Sequence, residues 1–239
     1  MAAEIFARLA IYLTQVGVAL LLSLLLWNLS RIYQQAYIRS WFVALLAFAA
    51  YQLAILLQWL LGTASLLMQL LQFITVTGSY TFAVFLLRGM MQTRRTVVPR
   101  WATVAPRKML ILLSVVGIVT VLPFMLFSTS SDWREYFQVY LRLLLMGVML
   151  LSAAVSLVQR MEQSQGQRLA AVTMLLWGLL YIVFAVWRLL SAEQMSNVQL
   201  TLAYKCVELF LLCCLGLALL IWLHEHERSA NMQLTEKAR

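Results

Sequence analysis

Seven stretches of this 239-residue sequence are long and apolar enough to cross a lipid bilayer as α-helices. About 20 apolar residues suffice for one such helix, because each residue advances it about 1.5 Å through a hydrocarbon layer about 30 Å thick. The seven stretches comprise residues 9–29, 41–61, 65–87, 109–128, 136–158, 169–190 and 198–223. We therefore predict an all-α polytopic membrane protein. Residues 1–223 would form a seven-helix transmembrane domain, and residues 224–239 a cytoplasmic helical tail.

Composition supports the membrane assignment over a soluble one. Hydrophobic residues make up 63% of the chain and charged residues 11%, whereas a soluble domain is nearer half apolar and a quarter charged. The chain contains three prolines and nine glycines. Such a chain favours long helices over the short alternating strands of an outer-membrane barrel.

Basic residues are distributed unequally between the predicted connections. Thirteen Lys and Arg residues fall in alternate connections and in the tail, whereas the opposite side holds Arg8 and Arg134. Cytoplasmic loops of membrane proteins carry the excess of Lys and Arg. We therefore predict an N-terminus outside the membrane and a C-terminus in the cytoplasm.

The net charge of +9 is explained by this topology and does not indicate nucleic-acid binding. Six of the basic residues lie between Arg88 and Lys108, in the longest predicted connection. Basic residues at the cytoplasmic face attract anionic lipid headgroups. Membrane lipids are therefore an expected partner, and nucleic acid is not.

Polar residues inside the predicted helices gather toward the outer half of the bundle. Lys205 and Glu208 lie three residues apart, which is one helical turn, so they can pair directly. Arg142 and Arg188 have no evident carboxylate partner in the predicted core. Further polar candidates at similar depth are Gln69, Gln72 and Tyr204. Because guanidinium groups suit carboxylates and phosphates, we interpret the set as an outward-facing pocket for a small anion.

A purely structural interpretation of the same residues remains open. Arg188 and Arg142 lie close enough to helix ends to reach the outer interface with their charged groups. Lys205 and Glu208 can serve as a polar contact between helices without binding any ligand.

Signals for enzymes, metals and cofactors are missing. His224 and His226 are two residues apart, so they point to different helix faces and suit a single metal poorly. The third predicted helix has no carboxylate to act as counter-ion to a retinal Schiff base on Lys205. We expect no catalysis, no metal and no cofactor.

The tail carries a short heptad-like pattern. Leu223, Ala230 and Leu234 are spaced seven and then four residues apart, as at the d, d and a positions of a coiled coil. Ala230 and Leu234 are therefore expected to face a second copy of the chain in a homodimer. An isolated helix of this length is marginal, so the pattern is typical of the start of a longer coiled coil.

Two features of the sequence are shared with a known group of proteins. One is the order of seven helices followed by the charged segment HEHERSANMQLTEKAR. The other is the segment after the first helix, with Tyr33 and the run Tyr37-Ile38-Arg39-Ser40-Trp41. The chain resembles the N-terminal membrane regions of bacterial sensor histidine kinases of two-component systems and of GGDEF diguanylate cyclases. The resemblance implies location in the bacterial inner membrane, a dimer, and a cytoplasmic output domain. Since this sequence has no kinase, cyclase or PAS segment, that domain is expected beyond Arg239 or in a partner.

Three functions therefore compete. The first is a sensory input module that binds a signal and passes it through the last helix to the output domain. The second is a small-solute transporter, which usually shows inverted repeats or helices broken near the midplane. The third is a membrane anchor or assembly protein without a ligand, which has no need of a positively charged cavity.

Overall fold

The computed structural model describes residues 2–61, 66–93, 100–126, 136–158, 164–190 and 198–237. Side chains are described for these residues except at positions 2–4, 66, 122–126, 136–138, 198, 227 and 229–237. Helices account for nearly all of the described backbone. They are α1 (Ala2–Tyr33), α2 (Ala36–Leu61), α3 (Leu66–Gln92), α4 (Arg100–Thr103), α5 (Pro106–Leu126), a π-helical segment (Tyr136–Leu141) that runs into α6 (Arg142–Val158), α7 (Gln165–Leu190) and α8 (Val198–Lys237).

Six helices of the described chain are long and apolar enough to cross a membrane. These spans are Ile5–Tyr33, Ala36–Leu61, Leu67–Gln92, Val139–Val158, Gln165–Leu190 and Gln199–His226. The chain is thus an all-α protein with the character of a multi-pass membrane protein, as the sequence predicts. The fourth predicted stretch is helical in its described part, residues 109–126, as α5. It is not among the six spans, so the count of seven stays a prediction.

The long helices pack side by side, with α1 and α2 antiparallel. The guanidinium of Arg8, near the start of α1, lies 5.9 Å from the ring centroid of Trp59, near the end of α2. At the other end of the bundle, Trp41 of α2 packs on Trp222 of α8 with centroids 5.3 Å apart. We call the end where α1 and α8 begin the entry end, and the end where α8 leaves the bundle the exit end.

An aromatic cluster fills the centre of the bundle. Phe48 of α2, Phe82 of α3 and Trp177 of α7 are fully buried, with ring centroids 5.0 to 5.6 Å apart. Their tilted and edge-to-face geometry is the one that aromatic quadrupoles favour. The cluster holds three helices in fixed relation immediately beside the polar residues described below.

Helices α6 and α7 approach each other closely through glycine. A Cβ added at Gly147 would lie 2.9 Å from the carbonyl oxygen of Gly178, and one added at Gly178 would lie 2.9 Å from that of Gly147. Small residues at such crossings let helix backbones pack closely where no hydrophobic force distinguishes protein from lipid. This contact sets the position of α6, which carries Arg142.

Candidate functional site

A buried ion pair lies on α8. The Nζ atom of Lys205 is 2.6 Å from Oε2 of Glu208, and the two residues are 7% and 0% exposed. They are one helical turn apart, so the helix itself brings them together. A carboxylate with no exposure to solvent must be fully compensated by its neighbours, since an unpaired buried charge costs several kcal/mol.

Four further side chains complete the compensation of Glu208. Tyr181 of α7 donates a hydrogen bond to Oε1 at 2.6 Å, and Tyr51 of α2 donates to the same oxygen at 3.2 Å. Gln52 of α2 and Gln15 of α1 donate to Oε2 at 2.9 and 3.2 Å. One carboxylate thereby joins α1, α2, α7 and α8.

The ammonium group of Lys205 is also held by several neighbours. It donates to Oε1 of Gln52 at 3.1 Å as well as to Glu208. The rings of Tyr12 and Tyr204 lie with their centroids 5.1 and 5.3 Å from Nζ, within cation–π range. Lys205 and Glu208 together are therefore electrically neutral.

A cavity of about 270 Å³ opens beside this pair. Its wall combines cationic, polar and apolar side chains contributed by six α-helices and the π-helical segment. The polar residues of the wall are Tyr12, Tyr51, Gln58, Gln72, Thr75, Arg142, Arg188, Thr201, Tyr204 and Lys205. Such a mixture, mostly apolar surface with a few placed polar groups, is typical of sites for small molecules.

Arg142 is the cation whose environment points most directly to a ligand. It begins α6 directly after the π-helical segment Tyr136–Leu141, and π-helical turns occur frequently at functional sites. Its Nε atom is buried and has no hydrogen-bond partner. The described part of the chain provides no ion pair for this guanidinium, although the group lines the cavity.

An aromatic wall faces the cavity from α7 and α8. Phe184 and Tyr204 are stacked, with centroids 4.1 Å apart and ring planes 15° apart. The guanidinium carbon of Arg188 lies 5.9 Å from the Phe184 ring. The cavity thus presents flat apolar surface next to cationic groups.

The structure brings most of the sequence-predicted site residues together. Gln72, Arg142, Arg188, Tyr204 and Lys205 all line the cavity. Glu208 lies behind Lys205 as its counter-ion. Gln69 is half-buried on α3 and is not among the residues that line the cavity. Ala230 and Leu234 lie on the helical backbone of α8, with side chains outside the described residues.

Sequence reasoning missed the hydrogen-bonding partners of Glu208. Tyr51 and Gln52 are adjacent polar residues in the middle of an apolar helix, and Gln15 lies at a similar depth in α1. Intramembrane polar groups usually face the bundle interior, so the glutamines gave a usable signal. The two tyrosines, Tyr51 and Tyr181, gave none, because tyrosine is also common at lipid interfaces.

Among the side chains that the structure describes, no three His, Cys, Asp or Glu residues lie close enough to bind a metal ion. Comparisons with known proteins identify no relative. No family model matches the chain, and no curated protein or solved structure matches it either.

Proposed function

We propose that this chain is a membrane sensory module that binds a small anion in the cavity and transmits the event through α8. The observation that carries the proposal is the position of the Lys205–Glu208 pair. Lys205 forms part of the cavity wall, and the pair lies on a helix of 40 residues that continues to Lys237. A ligand in the cavity therefore touches the same helix that leaves the bundle.

The charge of the site supports an anionic ligand. Lys205 is neutralised by Glu208, which leaves Arg142 as a cationic group of the cavity wall without an ion pair in the described chain. A guanidinium binds carboxylate or phosphate through two parallel hydrogen bonds. The stacked Phe184 and Tyr204 rings next to it favour an anion that also carries a flat or apolar part.

Continuity of α8 supports the transmission step. Helix α8 contains no proline, and its one glycine, Gly216, lies inside continuous helix. From Glu208 to Glu225 the helix extends about 25 Å at 1.5 Å per residue. A rotation or shift at the cavity can therefore pass along α8 without a hinge. Helix shifts between discrete arrangements are an established form of switching.

The wider context follows from the sequence. In this proposal the chain crosses the bacterial inner membrane seven times, with α5 as the fourth span and the N-terminus outside. The cavity, near the entry end, then opens to the periplasm. Two copies pair through the tail and control a cytoplasmic output domain of the kinase or cyclase type, in the same protein or in a partner.

A transporter is the main competing proposal. Helices α2, α3, α7 and α8 contribute to the cavity wall, and each is continuous over its described residues. Transporter sites commonly use helices broken at mid-membrane. The fully compensated ion pair likewise favours a fixed structural and signalling element. A flux assay in liposomes with any anion that binds separates the two, because a sensor shows binding without transport.

Ligand-dependent thermal stability tests the proposal. Purified protein should be screened against small mono- and dicarboxylates, aromatic carboxylates, inorganic phosphate and phosphate monoesters. A true ligand at a hundred times its Kd stabilises the folded state by about 2.7 kcal/mol. Arg142→Gln should abolish that response.

Arg39→Gln is the matched control, since Arg39 is an exposed arginine on α2 remote from the cavity wall. It should respond as the wild type does. Absence of any stabilising anion, or an equal response of the Arg142→Gln variant, would refute the anion site.

A further inference from the structure

Arg88 lies on α3 near the exit end and is a second cation with no ion pair among the described residues. The residue is 3% exposed, and its Nε atom is buried with no hydrogen bond. Its contacts are Sδ of Met109, 3.8 Å from Nη1, and the ring of Phe85, 5.5 Å from the guanidinium carbon. A thioether is a weak acceptor, so these contacts leave most of the guanidinium donors unused.

The neighbouring sequence offers no carboxylate to satisfy this charge. Between Glu4 and Asp132 the chain contains neither Asp nor Glu. Met109 of α5 and Phe85 of α3, the residues that contact the Arg88 guanidinium, both belong to this acid-free stretch. A buried cation without a counter-charge is costly, and no described residue supplies one to Arg88, so a bound anionic group is the counter-charge that we infer.

The start of α5 adds a second feature that favours an anion. Met109, which Arg88 touches, lies at the first turn of this 21-residue helix. Arg107 and Lys108 precede it in the same turn, which has no acidic residue. The amino end of a helix carries free N–H groups and a partial positive charge. The positive charges of Arg107 and Lys108 are repelled by this partial positive charge unless an anion binds there.

The approach to α5 is held in place by hydrogen bonds. Gln92 of α3 donates from Nε2 to the carbonyl oxygen of Ala102 at 2.9 Å, and Ser40 of α2 donates to Oε1 of Gln92 at 2.9 Å. Ala102 is fully buried. The segment leading into α5 is therefore fixed against α3, so Arg88 and the first turn of α5 keep a constant relation.

We propose that Arg88 and the first turn of α5 bind a phosphate group at the exit end, supplied by the headgroup of an anionic phospholipid. Arg88 donates hydrogen bonds to the phosphate oxygens from inside the bundle. The backbone N–H groups of Arg107 and Lys108, in the first turn of α5, face the phosphate, and their side chains add charge from the exposed side. This site is separate from the cavity and does not depend on the proposed sensory function.

Native mass spectrometry of the detergent-purified protein tests the site, with phosphatidylglycerol added in one arm and inorganic phosphate in a second. The wild type should retain one phosphatidylglycerol per chain. Arg88→Gln should weaken this binding about 10- to 100-fold, the usual range for losing hydrogen bonds to a charged group. Arg39→Gln, which removes an exposed arginine of α2, should leave the binding unchanged.

A double variant, Arg107→Gln with Lys108→Gln, keeps the test decisive if Arg88→Gln does not fold. Both residues are exposed, so their replacement should spare the fold and weaken phosphatidylglycerol binding several-fold. Binding of inorganic phosphate alone, lost in the same variants, supports the phosphate site but assigns it to a soluble phosphate. Binding of neither, or equal binding by wild type and variants, overturns the proposal.

Discussion

The carboxylate of Glu225 on α8 accepts a hydrogen bond from the backbone N–H of Gly166, the second residue of α7, at 3.1 Å. It accepts another from the N–H of Gln165 at 3.1 Å and one from the hydroxyl of Ser164. The first N–H groups of a helix lack partners within it, and a carboxylate there also compensates the helix dipole. The exit segment of α8 thus caps α7.

Removal of this cap should destabilise the protein. We expect Glu225→Ala to lower the free energy of unfolding by about 1 kcal/mol, the usual effect of losing a cap. Thermal unfolding of the detergent-purified protein measures it. Arg228→Ala, at an exposed position one turn further along α8, should have little effect. Equal effects of both variants would contradict the capping role.

Gly166 is required for the close contact between α7 and α8. A Cβ added there would lie 2.3 Å from the backbone nitrogen of Trp222, so the two helices would have to separate. Gly166→Ala should destabilise the protein by about 1–3 kcal/mol, as overpacking usually does.

Gly17→Ala is the matched control for this substitution, because a Cβ added at Gly17 meets no atom within 4 Å. It should be neutral or stabilise α1 by up to about 1 kcal/mol through the better helix propensity of alanine. If the Gly166→Ala variant melted at the same temperature as the Gly17→Ala variant, or at a higher one, the α7–α8 contact would tolerate a methyl group.

Substitutions at Glu208 and at its hydrogen-bonding partners should lower the free energy of unfolding by different amounts. Glu208→Gln leaves the Lys205 ammonium buried and unpaired, and should destabilise the protein by about 3–5 kcal/mol. Tyr181→Phe removes the 2.6 Å hydrogen bond to the carboxylate and should cost about 1.5–3 kcal/mol. Tyr51→Phe removes a 3.2 Å hydrogen bond and should cost less.

A double variant isolates the charge pairing. Lys205→Met combined with Glu208→Leu removes both charges, and should be less destabilised than Glu208→Gln alone because no unpaired charge remains. Chemical unfolding curves for the single and double variants give the coupling. If the destabilisation of the double variant equalled the sum of those caused by Lys205→Met alone and Glu208→Leu alone, the two charges would not stabilise each other.

The topology prediction depends on α5. If α5 spans the membrane, the two termini lie on opposite sides, and a cysteine at Thr129 is accessible from the periplasm. Reporter fusions at Met1 and Arg239 and labelling of Thr129→Cys in a cysteine-free background test both statements. Termini on the same side, with Thr129→Cys labelled only from the cytoplasm, would leave six spans and reverse part of the proposed orientation.

The tail is predicted to pair with a second copy. In a cysteine-free background, Ala230→Cys should crosslink within a dimer in membranes, and the yield should change when the cavity ligand binds. Ser229→Cys and Asn231→Cys, one position to either side, are the controls and should crosslink poorly. Equal yields at all three positions would indicate an unpacked tail, and no crosslinking would favour a monomer.

The sequence alone predicted the features of this protein that lie within single helices. Apolar stretches of about 20 residues require helices in lipid, because every backbone polar group must bond internally. Each predicted stretch falls on helix wherever the structure describes it, although α1 begins at Ala2 and α2 at Ala36, well before the predicted starts. The spacing of Lys205 and Glu208 places them one turn apart in any helix, so their proximity needs no tertiary information.

Only the tertiary structure decided which other residues contact Lys205 and Glu208. Tyr51, Gln52, Gln15 and Tyr181 lie on three helices and meet Glu208 only because of how those helices rotate and cross. The same holds for Glu225, which appears in the sequence as one charge of an exposed tail but caps α7 in the fold. Residues within one helix are related by its fixed repeat, whereas contacts between helices depend on packing that no local pattern records.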